Sequence, residues 1–129
     1  MTSKAGLAAL EAEVARDLEL VAHPRTEWMV PRLHAGKPAL DVLIVGAGQS
    51  GLVTAFGLMR ERVRNILVID RAPAGKEGPW VTFARMPTLR SPKDQTGPDL
   101  GIPSLTFQAW YEAQHGAAAF AELHLIASV

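Results

Sequence analysis

The apolar positions of the chain change their period three times. From Ser3 to Ala22, Leu7, Leu10, Val14, Leu18 and Val21 recur at three- and four-residue steps. This single stripe predicts a helix, with Ser3 placed to cap its start. Proline disfavours helical geometry at the residue before it, so the helix must stop ahead of His23-Pro24. Pro24 to Pro38 contains three prolines, one glycine and Trp28. It reads as a surface arm whose Trp28 and Met29 dock by packing on the core, or serve as a lid or subunit contact. Leu40 to Val45 is apolar except for Asp41, the pattern of a strand buried on both faces of a parallel sheet. Leu52 to Val63 returns to helical spacing, with Leu52, Ala55, Phe56 and Met59 on one face. Ile66 to Ile69 is a second, β-branched strand that ends at Asp70. A parallel strand pair with a helical crossover follows from this order. No glycine ends the crossover helix, and Asn65 in a left-handed conformation is expected to take that place.

Beyond Arg71 the pattern breaks. Pro73, Gly75, Gly78 and Pro79 predict a turn-rich loop, and Phe83 to Pro103 a long loop with short extended pieces. Thr106 to His115 reads as a helix capped by Ser104 or Thr106 and ended by Gly116. Ala117 to Leu125 reads as a further helix. The predicted organisation is a helix and arm over residues 1–38, followed by an α/β domain over 39–129.

Composition narrows the chemistry. The 129 residues suffice for one ordinary domain, burying roughly two-thirds of its unfolded surface. Apolar residues make up 48% and charged residues 20%, the balance of a globular chain. Thirteen basic residues face thirteen acidic ones, so no net field favours nucleic acid or an anionic membrane as partner. The absence of cysteine excludes disulfides, thiolate metal sites and thiol nucleophiles. His34, His115 and His124 have no metal-ligand spacing and read as surface residues. No apolar run approaches the ~20 residues of a membrane span, and charges interrupt the N-terminal helix where a signal peptide needs an apolar core. A cytoplasmic protein is expected.

One segment carries chemistry. Gly46-Ala47-Gly48-Gln49-Ser50-Gly51 follows the first strand directly and opens the crossover helix. Gly46 permits a tight turn, Gly48 lets backbone amides approach a diphosphate, and Gly51 allows the helix to pack close to the sheet. Amides near Gln49 and Ser50 then point positive partial charge at phosphate oxygens. Asp70, at the tip of the second strand, is placed to accept hydrogen bonds from both hydroxyls of an adenosine ribose and to repel a 2′-phosphate. Arg71 beside it can stack on adenine or meet a phosphate. These features define a Rossmann-like α/β dinucleotide site.

After Asp70 the chain continues Glu77-Gly78-Pro79-Trp80 and then Met86-Pro87-Thr88-Leu89-Arg90-Ser91-Pro92-Lys93-Asp94. Here it resembles flavin-dependent monooxygenases of the flavin-containing and Baeyer–Villiger type. Those proteins place a Gly-Gly-x-Trp segment after the ribose-binding acid, and Glu77 stands where their first glycine does. Phe107 to Tyr111 is similar to their Phe-x-x-Tyr helix. The resemblance spans about Asp41 to Gly116. It implies FAD as cofactor, with adenosine at Asp70 and the flavin toward the Pro87 to Asp94 loop. It also implies contacts from Gly78, Trp80 and Arg90; Arg90 and Lys93 alike read as solvated charges or as contacts to the flavin or a nicotinamide phosphate. The implied reaction is reduction of the flavin by NADPH, followed by oxygenation of a soft nucleophile or ketone with dioxygen. Ser91 stands nearest to a functional asparagine of some members, so that role is not carried over. A second glycine loop for NADPH and the C-terminal segment completing the FAD site are not found in these 129 residues. The chain is therefore expected to be a partial FAD-binding domain with an N-terminal helix extension, inactive alone, whose partner is the remainder of the enzyme. A small NAD- or nucleotide-binding module is the alternative. A non-binding interaction protein, in which the N-terminal helix and Trp28 arm matter more, is the third.

Overall fold

A computed structural model describes residues 4–80, 82–84, 91–95 and 97–123. The elements run α1 (Lys4–Leu20), β1 (Leu33–His34), β2 (Lys37–Pro38), β3 (Val42–Val45), α2 (Gln49–Arg60), β4 (Ile66–Ile69), a 3-10 turn (Pro103–Leu105), α3 (Phe107–His115) and α4 (Ala117–Glu122). They fall into two compact units, one of residues 22–85 and one of residues 1–21 with 86–129.

In the first unit, β3 and β4 pair in parallel, with Val42 opposite Ile66 and Val45 opposite Ile69. The helix between them makes the pairing possible, because parallel neighbours need a long crossover. Helix α2 packs on one face of the pair, where Val42, Ile44, Ile66 and Val68 are half-buried. The opposite face holds Leu43, Val45, Leu67 and Ile69, which are 42–78% exposed. The expectation of strands buried on both faces is thus corrected: among the described residues of this unit, cover comes from one side.

Helix α2 also ends earlier than its pattern predicts. Glu61 is its C-cap, and Arg62, not Asn65, takes the left-handed conformation, with φ +65°. That turn swings Val63 into the core at 8% exposure. Asn65 works differently. Its side-chain amide donates to the Ala39 carbonyl (2.6 Å), and its carbonyl accepts the Asp41 N–H (2.9 Å), fixing the entry to β3.

The arm belongs to this unit. Its residues turn back in a hairpin, β1 pairing antiparallel with β2 through Ala35 and Gly36, both at positive φ. Trp28 Nε1 donates to the Glu61 carbonyl (2.6 Å), Arg62 Nε to the Pro24 carbonyl (2.9 Å), and Arg64 Nε to Glu27 Oε1 (3.2 Å). These bonds satisfy carbonyls at the end of α2 and along the arm. The arm is thus part of the compact unit of residues 22–85.

The second unit is helical. Leu7, Leu10, Val14 and Leu18 of α1 are half-buried, as the stripe predicts, while Val21, its last predicted member, is exposed past the helix end; α1 packs on α3. At Gly6 a side chain would overlap the Ala113 carbonyl of α3, so the two helix backbones touch. Phe107, Tyr111 and Phe120 place their ring centroids 5.8–6.3 Å apart, and Ile102 is buried at 2% exposure. Thr106 caps α3 by accepting the Ala109 N–H (3.1 Å), and Gly116 at φ +88° ends it. Ser104 is not a cap: it is 2% exposed and donates to Asp17 Oδ2 of α1 (2.7 Å). Ser3, and residues 124–125 of the predicted last helix, lie outside the described residues.

The Ser104→Ala variant removes a hydroxyl bonded to a carboxylate. It is expected to cost about 1–2 kcal/mol, read as a lowered urea midpoint with unchanged slope.

Candidate functional site

The site lies where β3 and β4 end. Gly46 leaves the strand at φ +113°, a region that side chains disfavour, while its N–H donates to the Ile69 carbonyl (2.7 Å) and lengthens the ladder by one bond. Gly48 then caps α2 in extended geometry, with no side chain to satisfy the first turn. The Leu52 N–H donates to the Gly48 carbonyl (3.0 Å). The N–H groups of Gln49, Ser50 and Gly51 therefore precede the first intrahelical bond. They carry the positive end of the helix dipole, and no acidic residue lies in the first turn to neutralise it.

Close packing sets this arrangement. A side chain at Gly51 would overlap the Gly46 carbonyl, with Ile44 Cγ2 3.4 Å away. Only glycine lets the helix begin directly over the strand that feeds it. Gly48 faces another glycine. The Cβ it lacks would sit 3.3 Å from Gly78 Cα, and the Cβ missing from Gly78 would sit 3.4 Å from Gly48 Cα. Gly78 itself has φ +75°. The bare face of Gly48, read from the sequence as an opening for a diphosphate, is the surface on which the post-strand loop rests. Reading the chain as a string misses this contact, because the two glycines are separated by the whole crossover.

Asp70 joins the same two segments. Its Oδ2 accepts the Ala47 N–H (2.7 Å) and its Oδ1 the Ala72 N–H (2.7 Å). These bonds, Ala72 first and Ala47 second, hold its pKa below the ordinary 3.8, with a smaller contribution from the Arg71 charge. Each carboxylate oxygen retains further acceptor capacity for a ligand hydroxyl.

Together these residues line a cleft of about 420 Å³ formed by Val45, Gly46, Gly48, Gln49, Ser50, Gly51, Asp70, Gly78, Pro79 and Trp80. Trp80 is 53% exposed along it. Eight of the ten residues nominated from the sequence thus meet in one place. Arg71 is exposed and is not in the lining, and Arg90 lies outside the described residues. Lys93 is in the other unit, where its Nζ donates to the carbonyls of Phe120 (2.6 Å) and Ala121 (3.0 Å) at the end of α4. Among the described residues no group of three or more His, Asp or Glu side chains is arranged to hold a metal.

A helix start stripped of side chains, opening beside a carboxylate at the tip of the neighbouring parallel strand, defines a dinucleotide-binding α/β protein. Residues 43–126 match the family described as FAD-NAD(P)-binding, and the chain belongs to that family. It is 58% identical over 120 residues to an FAD-dependent urate hydroxylase of Xanthomonas campestris pv. campestris, an alignment covering 93% of this chain. The chain spans about 25% of that relative's length. No solved structure matches. The family and this relative are in keeping with the resemblance to flavin-dependent proteins carried by the chain's motifs.

Gly51→Ala forces the helix away from the Gly46 carbonyl. It is expected to lower the denaturation midpoint by about 1–3 kcal/mol equivalent, measured by urea titration, while Gly97→Ala, which has open space, leaves it unchanged. The folded Asp70 pKa lies below the unfolded one. Its bonds therefore stabilise the loop fully above pH 3.8 and lose that contribution as pH falls through the depressed folded value. The amide shifts of Ala47 and Ala72 are expected to titrate together with a midpoint under 3.8.

Proposed function

We propose that this chain holds the ADP half of FAD in the NAD(P)H-dependent monooxygenation of a small organic substrate, and that it does not turn over alone. The observation that carries this reading is the uncapped first turn of α2 opening into the cleft beside Asp70. The fit is specific. The N–H groups of Gln49, Ser50 and Gly51 are donors for diphosphate oxygens, and the uncapped turn that carries them lines the cleft. Asp70 offers its remaining acceptor positions to the two ribose hydroxyls, and its negative charge disfavours a 2′-phosphate at this position. Trp80 supplies an apolar, flat surface at the edge of the cleft. FAD, when bound, supplies electron transfer from NAD(P)H to dioxygen. The relative is a urate hydroxylase by name, and urate or a related purine is the substrate class we carry over from it.

The exposed face of the strand pair supports the further reading that more polypeptide completes the domain. Parallel sheets are covered on both faces, and Leu43, Val45, Leu67 and Ile69 are apolar and exposed. The portion of the relative that this chain does not span is the partner class proposed for that face.

Titration of the purified 129-residue chain with FAD, followed by calorimetry and flavin fluorescence, tests the proposal. Saturable binding at one site per chain is expected, with no NADPH oxidation beyond that of free flavin. Failure to bind FAD or ADP would overturn the first claim, and steady NADPH oxidation would overturn the second. Gly48→Val places branched carbon against Gly78 and the cleft, and is expected to lower FAD affinity by at least roughly tenfold in the same titration.

A further inference from the structure

Asp70 does more than wait for a ribose. Its two oxygens are engaged by backbone N–H groups on different segments, Ala47 in the glycine turn and Ala72 in the loop after β4. Two bonds on two oxygens fix both the position and the plane of the carboxylate. The same two segments meet again where Gly48 rests on Gly78. The two ends of the turn are tied to secondary structure, Gly46 by its N–H bond to the Ile69 carbonyl and Gly48 by its carbonyl accepting the Leu52 N–H; between them the Ala47 N–H is held by Asp70.

From this we infer that Asp70 is a positioning residue for the diphosphate, acting through the Ala47 amide, in addition to any contact with the sugar. This rests on the reading of the cleft as the FAD site and deepens it. By fixing Ala47 before a ligand arrives, the carboxylate aims the first turn of α2 into the cleft, so less ordering remains to be done on binding. It also takes the Ala47 N–H out of the donor set. The diphosphate is left with donors further along, in the helix turn itself. Ribose and phosphate recognition are thereby coupled through one side chain. Asparagine cannot substitute: it has one acceptor oxygen, and its amide would set a donor against either the Ala47 or the Ala72 N–H.

The test compares ADP with 2′,3′-dideoxy-ADP, which lacks both sugar hydroxyls, on the wild-type chain and Asp70→Asn by calorimetry. The variant is expected to weaken dideoxy-ADP by on the order of tenfold, and ADP by at least that factor. If Asp70 acted through the hydroxyls alone, the variant would weaken ADP and leave dideoxy-ADP unchanged, which overturns the inference. Amide hydrogen exchange of the ligand-free chains separates this claim from the FAD reading. Asp70→Asn is expected to speed exchange at Ala47 and Ala72 while Ile44 and Leu67 keep their protection. Unchanged exchange at Ala47 overturns the positioning role. Loss of protection at Ile44 and Leu67 also overturns it, by showing that Asp70 holds the strand pair rather than the turn. If neither nucleotide binds the wild type, the FAD reading fails, and the exchange result alone decides whether Asp70 sets the turn.

Discussion

The contact of one peptide with one helix start governs the first unit. Helix α2 begins so close to the end of β3 that a methyl group at Gly51 would overlap the Gly46 carbonyl. That approach places the crossover over the strand pair, and the amides of the first turn precede the first intrahelical bond. It also forms one wall of the cleft. A larger residue at Gly51 would relieve the crowding only by tilting the helix away, and the same tilt would turn its positive end from the cleft. Packing and binding chemistry are therefore set by the same missing side chain.

The second wall comes from the loop after β4, which leans on the glycine turn through Gly78 and is joined to it by Asp70. Both contacts are short-range and polar or backbone in character, so they specify geometry more than they add stability. Apolar burial in this unit is modest. Ala55 and Val63 are its buried hydrophobic residues among those described, and four strand residues remain exposed on the uncovered face. Covering an aliphatic side chain of that size typically contributes about 1.5–3 kcal/mol. The uncovered face is therefore a substantial reserve of unrealised hydrophobic stabilisation.

The helical unit shows the complementary economy. Its core is aromatic, with Phe107, Tyr111 and Phe120 in mutual contact, and its polar bonds are directed at helix ends. Lys93 serves the carboxyl end of α4, where cations oppose the helix dipole, and its ammonium also lies 4.8 Å from the Phe120 ring centroid.

Local rules decided much of this protein from its sequence alone. The helix stripe from Leu7 to Leu18, the strand–glycine turn–helix–strand order, the acid at the second strand tip and the Thr106 and Gly116 caps all depend on neighbours within a few positions, so the linear pattern contains them. Contacts between distant residues do not. Nothing near Gly6 announces the Ala113 carbonyl, nothing near Ser104 announces Asp17, and Gly78 reveals its purpose only when it meets Gly48. The end of α2 at Arg62 and the arm's attachment through Trp28 likewise required the fold, because the carbonyls they satisfy become neighbours only after the crossover closes. The sequence specified which groups could bind a diphosphate. Tertiary structure decided which of their hydrogen bonds were already taken, since a donor or acceptor is committed only by what lies within bonding distance in space.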